Sequence, residues 1–153
     1  MIYTALTKKA LKLCFEAHKD QTDKSGMPYV FHPFHLAEQM TEEKSTAVAL
    51  LHDVIEDTPY TLEDLRAMGF DEEVLAALAL MTHDDSVPYM EYVAKLRDNG
   101  LARKVKLADL RHNSDLTRLD EVDDKARARA EKYRAAIRLL TQGEPSGEAA
   151  EEF

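Results

Sequence analysis

Disulfides, membrane-spanning segments and a basic surface are all excluded by this sequence. Cys14 is its single cysteine, so no disulfide can form within the chain, and we expect a reducing, cytoplasmic location. No apolar run approaches the roughly 18 residues that a membrane helix needs. The formal net charge of −9 argues against nucleic acids or anionic membranes as partners, because both bind basic surfaces.

Turn-forming residues are also few, with five Gly and five Pro among 153 residues. Apolar residues recur at helical spacing almost throughout, and strand-like alternation never lasts more than a few residues. We therefore predict an all-α bundle of about seven to eight helices, in one domain over residues 1–141. Residues 142–153 are rich in Gly, Pro, Ser and Glu, which predicts a disordered acidic tail.

Three of the predicted helices carry the residues discussed next. The first runs over residues 43–55 and stops before Thr58-Pro59. The second runs over residues 88–98, where Asn99-Gly100 is expected to end it. The third runs over residues 102–116.

A group of polar residues ends the first of these helices. On a helix, His52, Asp53, Glu56 and Asp57 would cover an arc of about 140°. Their neighbours are apolar, and no lysine stands four positions later to pair with the acids. Charged groups on a packed helix need a partner, and a divalent cation satisfies several carboxylates at once. The alternative is a helix that simply ends in acidic residues.

Two further elements offer ligands of the same kinds. Asp109 and Asn113 lie one turn apart on the third helix, and His32 stands where a polar loop meets a helix start. The alternatives are a surface Asp109 paired with Lys106 or Arg111, and a packing or capping role for His32. The other histidines are expected to be solvated or structural: His18, His35, His83 and His112. One cysteine excludes a Cys-rich structural zinc site.

Three segments, in this order, resemble one known family. They read AHKDQTDKSGMPYVFHP, LLHDVIEDT and VKLADLRHN, and the resemblance covers roughly residues 14–140. The chain is similar to the HD superfamily, and within it to the hydrolase domain of RelA/SpoT-type alarmone proteins and their stand-alone small relatives. This resemblance implies an HD-domain helical bundle and a metal-dependent phosphohydrolase, most simply a guanosine 3′,5′-bis(diphosphate) 3′-pyrophosphohydrolase.

The resemblance also implies a role for each site residue. The implied metal is Mn²⁺, and the ligands are His32, His52, Asp53 and Asp109. Glu56 and Asp57 match the acidic pair that positions or deprotonates the attacking water. The implied small-molecule substrate is a nucleotide, and its contacts are Lys24, Ser25, Tyr29, Asn113, Arg129 and Tyr133. For the last two residues, an exposed helix face is the alternative.

The sequence departs from the family pattern at two places. Asp23 stands where the bifunctional members usually have a basic residue before Lys-Ser-Gly, and Ser114-Asp115-Leu116 replaces their usual Met-Arg-Thr. The substrate could therefore be another nucleotide or a phosphomonoester, for example NADPH. A third possibility is a non-catalytic module that binds a nucleotide as a sensor, against which the Glu56-Asp57 pair argues.

Overall fold

The computed structural model of this chain describes residues 1–142, so the tail predicted for 142–153 lies outside them apart from Gln142. The described part is all-helical, which confirms the predicted fold class. No helix in that part is long and apolar enough to cross a bilayer. Its helices are α1 Ala5–His18, α2 Phe31–Glu38, α3 Glu43–Leu51, α4 Val54–Asp57, α5 Leu62–Ala67, α6 Glu72–Met81, α7 Tyr89–Lys95, α8 Gly100–Asn113 and α9 Asp124–Thr141, with a 3₁₀ turn at Leu116–Arg118.

Side-chain caps fix where several helices begin. Thr4 and Thr61 form capping boxes at the starts of α1 and α5, and Asp123 caps α9 by accepting from the Ala126 N–H. Asn99 does the same for α8, since its side chain accepts from the Ala102 N–H at 2.9 Å. The prediction that Asn99-Gly100 ends a helix is therefore wrong, because this pair opens the next one. An amide side chain serves as readily before a helix as after it.

α3 is the central helix of the bundle, in contact with α1, α2, α6 and α8. Every residue from Ser45 to Leu51 is buried. A helix that is covered on all sides belongs to the interior, so its apolar character around the whole circumference is expected. The C-terminal end of α3 therefore delivers His52 to a buried position and Asp53 to a half-buried one beside it.

The helix predicted over 43–55 is interrupted at these two residues. Asp53 has φ −106° and ψ 1°, outside the helical range, and α4 starts after it. The His52 Nδ1 atom lies 2.7 Å from the Ala49 carbonyl oxygen. In a continuous helix that carbonyl would accept from the amide of Asp53, so the His52 side chain competes with it. The bend still leaves His52, Asp53, Glu56 and Asp57 on the wall of one cavity.

Candidate active site

Three of the predicted metal ligands converge at the centre of the bundle. His32 comes from α2, His52 from the end of α3 and Asp109 from α8, and all three are buried. Their ligand atoms lie within 4.8 Å of one another. Asp109 Oδ1 is 2.9 Å from His32 Nε2 and 3.5 Å from His52 Nε2. Two imidazole nitrogens and a carboxylate oxygen thus face one point, as a first coordination shell requires.

The state of His52 indicates that a cation fits at this point. A carbonyl only accepts hydrogen bonds, so His52 Nδ1 carries a proton for Ala49, and Nε2 is the nitrogen that remains to bind a ligand. His52 Nε2 is buried without a hydrogen-bond partner, although Asp53 Oδ2 lies 3.1 Å away. Burial lowers the pKa of His52, but the carboxylates of Asp53 and Asp109 outweigh it and hold that pKa well above its usual value. The site therefore attracts positive charge.

Asp53 joins this group to a second cluster of acids. Its carboxylate lies beside His52 Nε2 and also groups with Glu56 and Asp57, all three offering oxygens within 4.8 Å of one another. The Tyr29 hydroxyl donates a hydrogen bond to Asp53 Oδ2. The structure therefore places the fourth predicted ligand at the junction between the two groups, with a tyrosine fixing its orientation.

Lys106 places a nearly buried ammonium group beside Asp109, and the motif resemblance assigns it no role in the site. Its Nζ donates to Asp109 Oδ2 at 2.9 Å, while Asn113 Nδ2 donates to Asp109 Oδ1 at 2.9 Å. Burial alone would lower the pKa of Lys106. The Asp109 carboxylate outweighs burial and holds the pKa of Lys106 well above its usual value, so Lys106 stays an ammonium. The alternative of a surface Asp109 is wrong because Asp109 is only 4% exposed, but its proposed partner Lys106 is correct.

His112 is a second neighbour that the sequence interpretation did not assign to the site. Its ring stacks on that of His32 with centroids 5.0 Å apart and planes 4° from parallel, and the two Nδ1 atoms are 2.7 Å apart. Burial lowers the pKa of His112 to about 3, so the ring is neutral. The His112–His32 contact therefore fixes the ring of a candidate ligand without adding charge. Its position three residues after Asp109 on α8 was the available signal.

Glu56 and Asp57 project from α4 into an open cavity of about 210 Å³. Glu56 Oε1 accepts a hydrogen bond from the His83 N–H at 2.7 Å, which orients that carboxylate. Desolvation raises the pKa of both Glu56 and Asp57 above the usual values of their carboxyl groups. His52, Asp53 and Asp109 line the same cavity. Acids that can accept protons therefore face the candidate metal ligands.

A second cavity of about 320 Å³ opens beside the first. Every one of the six predicted substrate contacts lies on its wall: Lys24, Ser25, Tyr29, Asn113, Arg129 and Tyr133. Asn113 and Tyr133 line both cavities, so the two spaces share a wall. Arg129 and Tyr133 thus lie on the cavity side of α9, against the alternative of a merely exposed helix face.

The loop between α1 and α2 forms one side of the larger cavity. Asp23 Oδ1 accepts from the N–H groups of Ser25 and Met27, and Thr22 and Pro28 form an isolated antiparallel bridge. Gly26 occupies the left-handed region with φ +79°, which favours glycine at the tip of this loop. Asp23 is thus the residue around which the loop closes.

Known proteins resemble this chain both in sequence and in fold. No protein-family profile matches the sequence. The guanosine-3′,5′-bis(diphosphate) 3′-pyrophosphohydrolase MESH1 of Xenopus tropicalis is 34% identical over 122 residues, which are 71% of this chain and 68% of that protein. This chain belongs to the same protein family as MESH1.

Two further similarities agree with this assignment. The bifunctional (p)ppGpp synthase/hydrolase SpoT of Escherichia coli is 42% identical over 65 residues, or 40% of this chain, and the match spans only 9% of SpoT. A solved structure of a metazoan orthologue of SpoT, described as hydrolysing ppGpp, superposes with a TM-score of 0.76 at 24% identity. It covers 100% of this chain and 96% of the other, and it shows that the two share a fold.

Proposed function

We propose that this protein is a 3′-pyrophosphohydrolase of guanosine 3′,5′-bis(diphosphate). The observation that carries the proposal is the convergence of His32, His52 and Asp109 beside the acids Asp53, Glu56 and Asp57. A cavity that bears all six predicted nucleotide contacts shares a wall with the cavity of these acids. The choice of substrate in this proposal rests on the names of the relatives given above. A cytoplasmic location belongs to the same proposal.

We assign the metal to His32, His52, Asp53 and Asp109, and we propose Mn²⁺ as the ion. Two imidazoles and two carboxylates form a mixed set that suits Mn²⁺ or a similar borderline ion. When bound there, such an ion lowers the pKa of a water molecule and polarises a phosphoryl oxygen. Tyr29 and Lys106 hold the carboxylates of Asp53 and Asp109 by hydrogen bonds, which keeps one oxygen of each beside the histidines.

Glu56 and Asp57 are proposed to manage the proton of the reaction. A carboxylate with a raised pKa accepts a proton from water more readily than an ordinary one, and both acids face the ligand group. The water oxygen bonds to the phosphorus next to the ribose, and the bond between that phosphorus and the 3′ oxygen breaks. The 3′ oxygen takes a proton, and the products are GDP and pyrophosphate.

The larger cavity is proposed to hold the nucleoside and its 5′-phosphates. Lys24 and Arg129 supply cations for phosphate oxygens, and Ser25 and Asn113 supply hydroxyl and amide groups. Tyr29 and Tyr133 offer ring faces and hydroxyls. Asn113 also donates to Asp109, and Tyr29 donates to Asp53, so these two contacts tie substrate position directly to candidate ligands.

The test is product formation by purified protein with Mn²⁺ and guanosine 3′,5′-bis(diphosphate). We expect pyrophosphate and GDP in equal amounts, and no product from His52→Ala or Asp53→Ala. Chelation should stop the reaction and Mn²⁺ should restore it. A metal-loaded, folded protein without turnover would refute the alarmone as substrate.

Asp23 supports a second candidate substrate. A carboxylate on the wall of the larger cavity repels densely charged phosphate groups, so a less charged nucleotide or a phosphomonoester such as NADPH is favoured by it. A panel of phosphorylated metabolites under the same conditions separates the two candidates. Faster turnover of a monoester than of the alarmone would decide for the second.

A further inference from the structure

Arg118 stands on the wall of the larger cavity, although neither the sequence pattern nor the family resemblance assigned it a role. It is the last residue of the 3₁₀ turn that follows α8. Its Nη1 donates to the His112 carbonyl oxygen at 2.9 Å and lies 3.5 Å from Asn113 Oδ1. The guanidinium is therefore held beside Asn113, a predicted substrate contact.

The turn that carries Arg118 is built by one of the two departures from the family pattern. Asp115 precedes the turn, and its Oδ1 accepts from the Thr117 N–H at 3.0 Å and from the Thr117 hydroxyl at 2.6 Å. An acidic cap of this kind stabilises the start of a short helix. Asp115 thus stands where the family usually has an arginine, and it caps a turn that ends in Arg118, three residues later.

Asp23, the other departure from the family pattern, lies beside the same residue. Asp23 Oδ2 lies 3.8 Å from Arg118 Nη2, and the neighbouring Ser25 hydroxyl donates to the Arg118 carbonyl oxygen at 3.1 Å. The loop between α1 and α2 is therefore fastened to the 3₁₀ turn at Arg118. Because 3.8 Å exceeds hydrogen-bond length, the Nη2 group is drawn by charge and remains able to bind another anion.

Arg118 contributes to the net charge of the cavity wall. The charged side chains there are Lys24, Arg118, Arg129, Asp23 and Asp115. Three cations and two carboxylates give this wall a formal net charge of +1, so the loss of Arg118 would leave it without net positive charge. A nucleotide phosphate entering this cavity needs that charge, and a planar guanidinium can bind two of its oxygens.

We propose that Arg118 is a phosphate-binding residue of this cavity, with Asp23 and Asp115 as positioning residues that hold it in place. The inference rests on the proposed function only for the class of ligand, a nucleotide with a 5′-diphosphate. It accounts for both departures by one compensating cation: the basic side chains missing at positions 23 and 115 are replaced by one at position 118.

The test is the affinity for GDP, measured by calorimetry in Mn²⁺ buffer for the full chain and for Arg118→Gln. Glutamine keeps an N–H donor for the His112 carbonyl but removes the charge, so folding is preserved better than with alanine. We expect GDP to bind roughly tenfold to a hundredfold more weakly, with a shallower dependence on salt. Arg118→Lys should recover part of the loss, because it restores the charge without the planar fork.

Arg127→Gln is the matched control, since Arg127 is an exposed arginine of α9 that pairs with Asp124 and does not line the cavity. Its affinity for GDP should equal that of the unchanged protein. Equal affinities for Arg118→Gln and Arg127→Gln would overturn the inference, and so would an unchanged protein that does not bind GDP. Hydrolysis is assayed separately: weaker GDP binding by Arg118→Gln in a protein without turnover would uphold this inference while refuting the proposed reaction.

Discussion

Lys106 Nζ lies 2.9 Å from Asp109 Oδ2 in the interior of the bundle, and the other oxygen of this carboxylate faces the Nε2 atoms of His32 and His52. The ammonium also lies 5.3 Å from the ring centroid of Tyr92 and 5.9 Å from that of Tyr89. Burial of both charges makes each depend on the other, because neither can be solvated alone. Lys106 is thus a positioning residue for Asp109.

Lys106→Met is expected to lower the free energy of unfolding by roughly 3–5 kcal/mol, because it leaves a buried carboxylate without its cation. Urea denaturation measures this change. Lys104→Met is the control, since Lys104 is an exposed lysine of the same helix whose pair with Glu42 spans 4.0 Å. Its expected effect is below about 1 kcal/mol. Similar losses for the two variants would contradict a structural role for the buried pair.

Metal binding should appear as a gain in thermal stability that needs no substrate. With Mn²⁺ at 100 times its dissociation constant, linkage predicts about 2.7 kcal/mol, which is a rise in Tm of roughly 5–10 °C for a chain of this size. EDTA should reverse it. Asp109→Asn should abolish the rise, and Asp57→Asn, a change in the outer acid, should retain it.

The Asp53→Asn variant tests whether Asp53 is a ligand of the metal. Asp53 lies 3.1 Å from His52 yet groups with Glu56 and Asp57, so it borders both clusters. If it binds the metal as proposed, the Mn²⁺-dependent rise in Tm should fall as it does for Asp109→Asn. A full rise would remove Asp53 from the ligand set.

The helices were largely predictable because most of them bury one apolar face at a spacing that the sequence displays. The bend at His52-Asp53 was not, since it depends on a side chain that competes for a carbonyl of its own helix. Asn99 was misassigned for a related reason: Asn-Gly is equally suited to ending one helix and beginning another. Such choices are settled by packing, which periodicity does not record.

The candidate site was predictable where residues act through their own chemistry. His52 and Asp109 belong to that class, since ligand types on apolar helices call for a cation. Lys106 and His112 lie inside the VKLADLRHN segment, but which side chains they meet depends on helix packing; Arg118 lies outside the three segments and meets Asp23, which is distant in the chain. Asp23 was interpreted by its charge alone, whereas its main contacts are two N–H groups of its own loop.

Cys14 should be inert in the native protein. Its side chain is fully buried among core residues, and burial raises the pKa of the thiol to about 12. At pH 8 about one thiol in ten thousand is then ionised, and the thiolate is the reactive form. We expect no reaction with a disulfide reagent until guanidinium unfolds the chain, when one thiol per chain reacts. Rapid labelling of native protein would mean that α1 opens locally.

Glu56→Gln should separate proton transfer from metal binding. The glutamine carbonyl can still accept the His83 N–H that Glu56 Oε1 accepts at 2.7 Å, so the geometry of α4 is retained while the basic oxygen is lost. We expect kcat for the alarmone to fall roughly 10²–10⁴-fold, the usual contribution of a general base, with an unchanged rise in Tm on adding Mn²⁺. Glu63→Gln, at an exposed acid of α5, is the control and should leave both measurements unaltered. If Glu56→Gln instead lost the Mn²⁺-dependent stabilisation, Glu56 would be a metal ligand; if kcat were preserved, the base would have to be Asp57, and Asp57→Asn would then carry the loss.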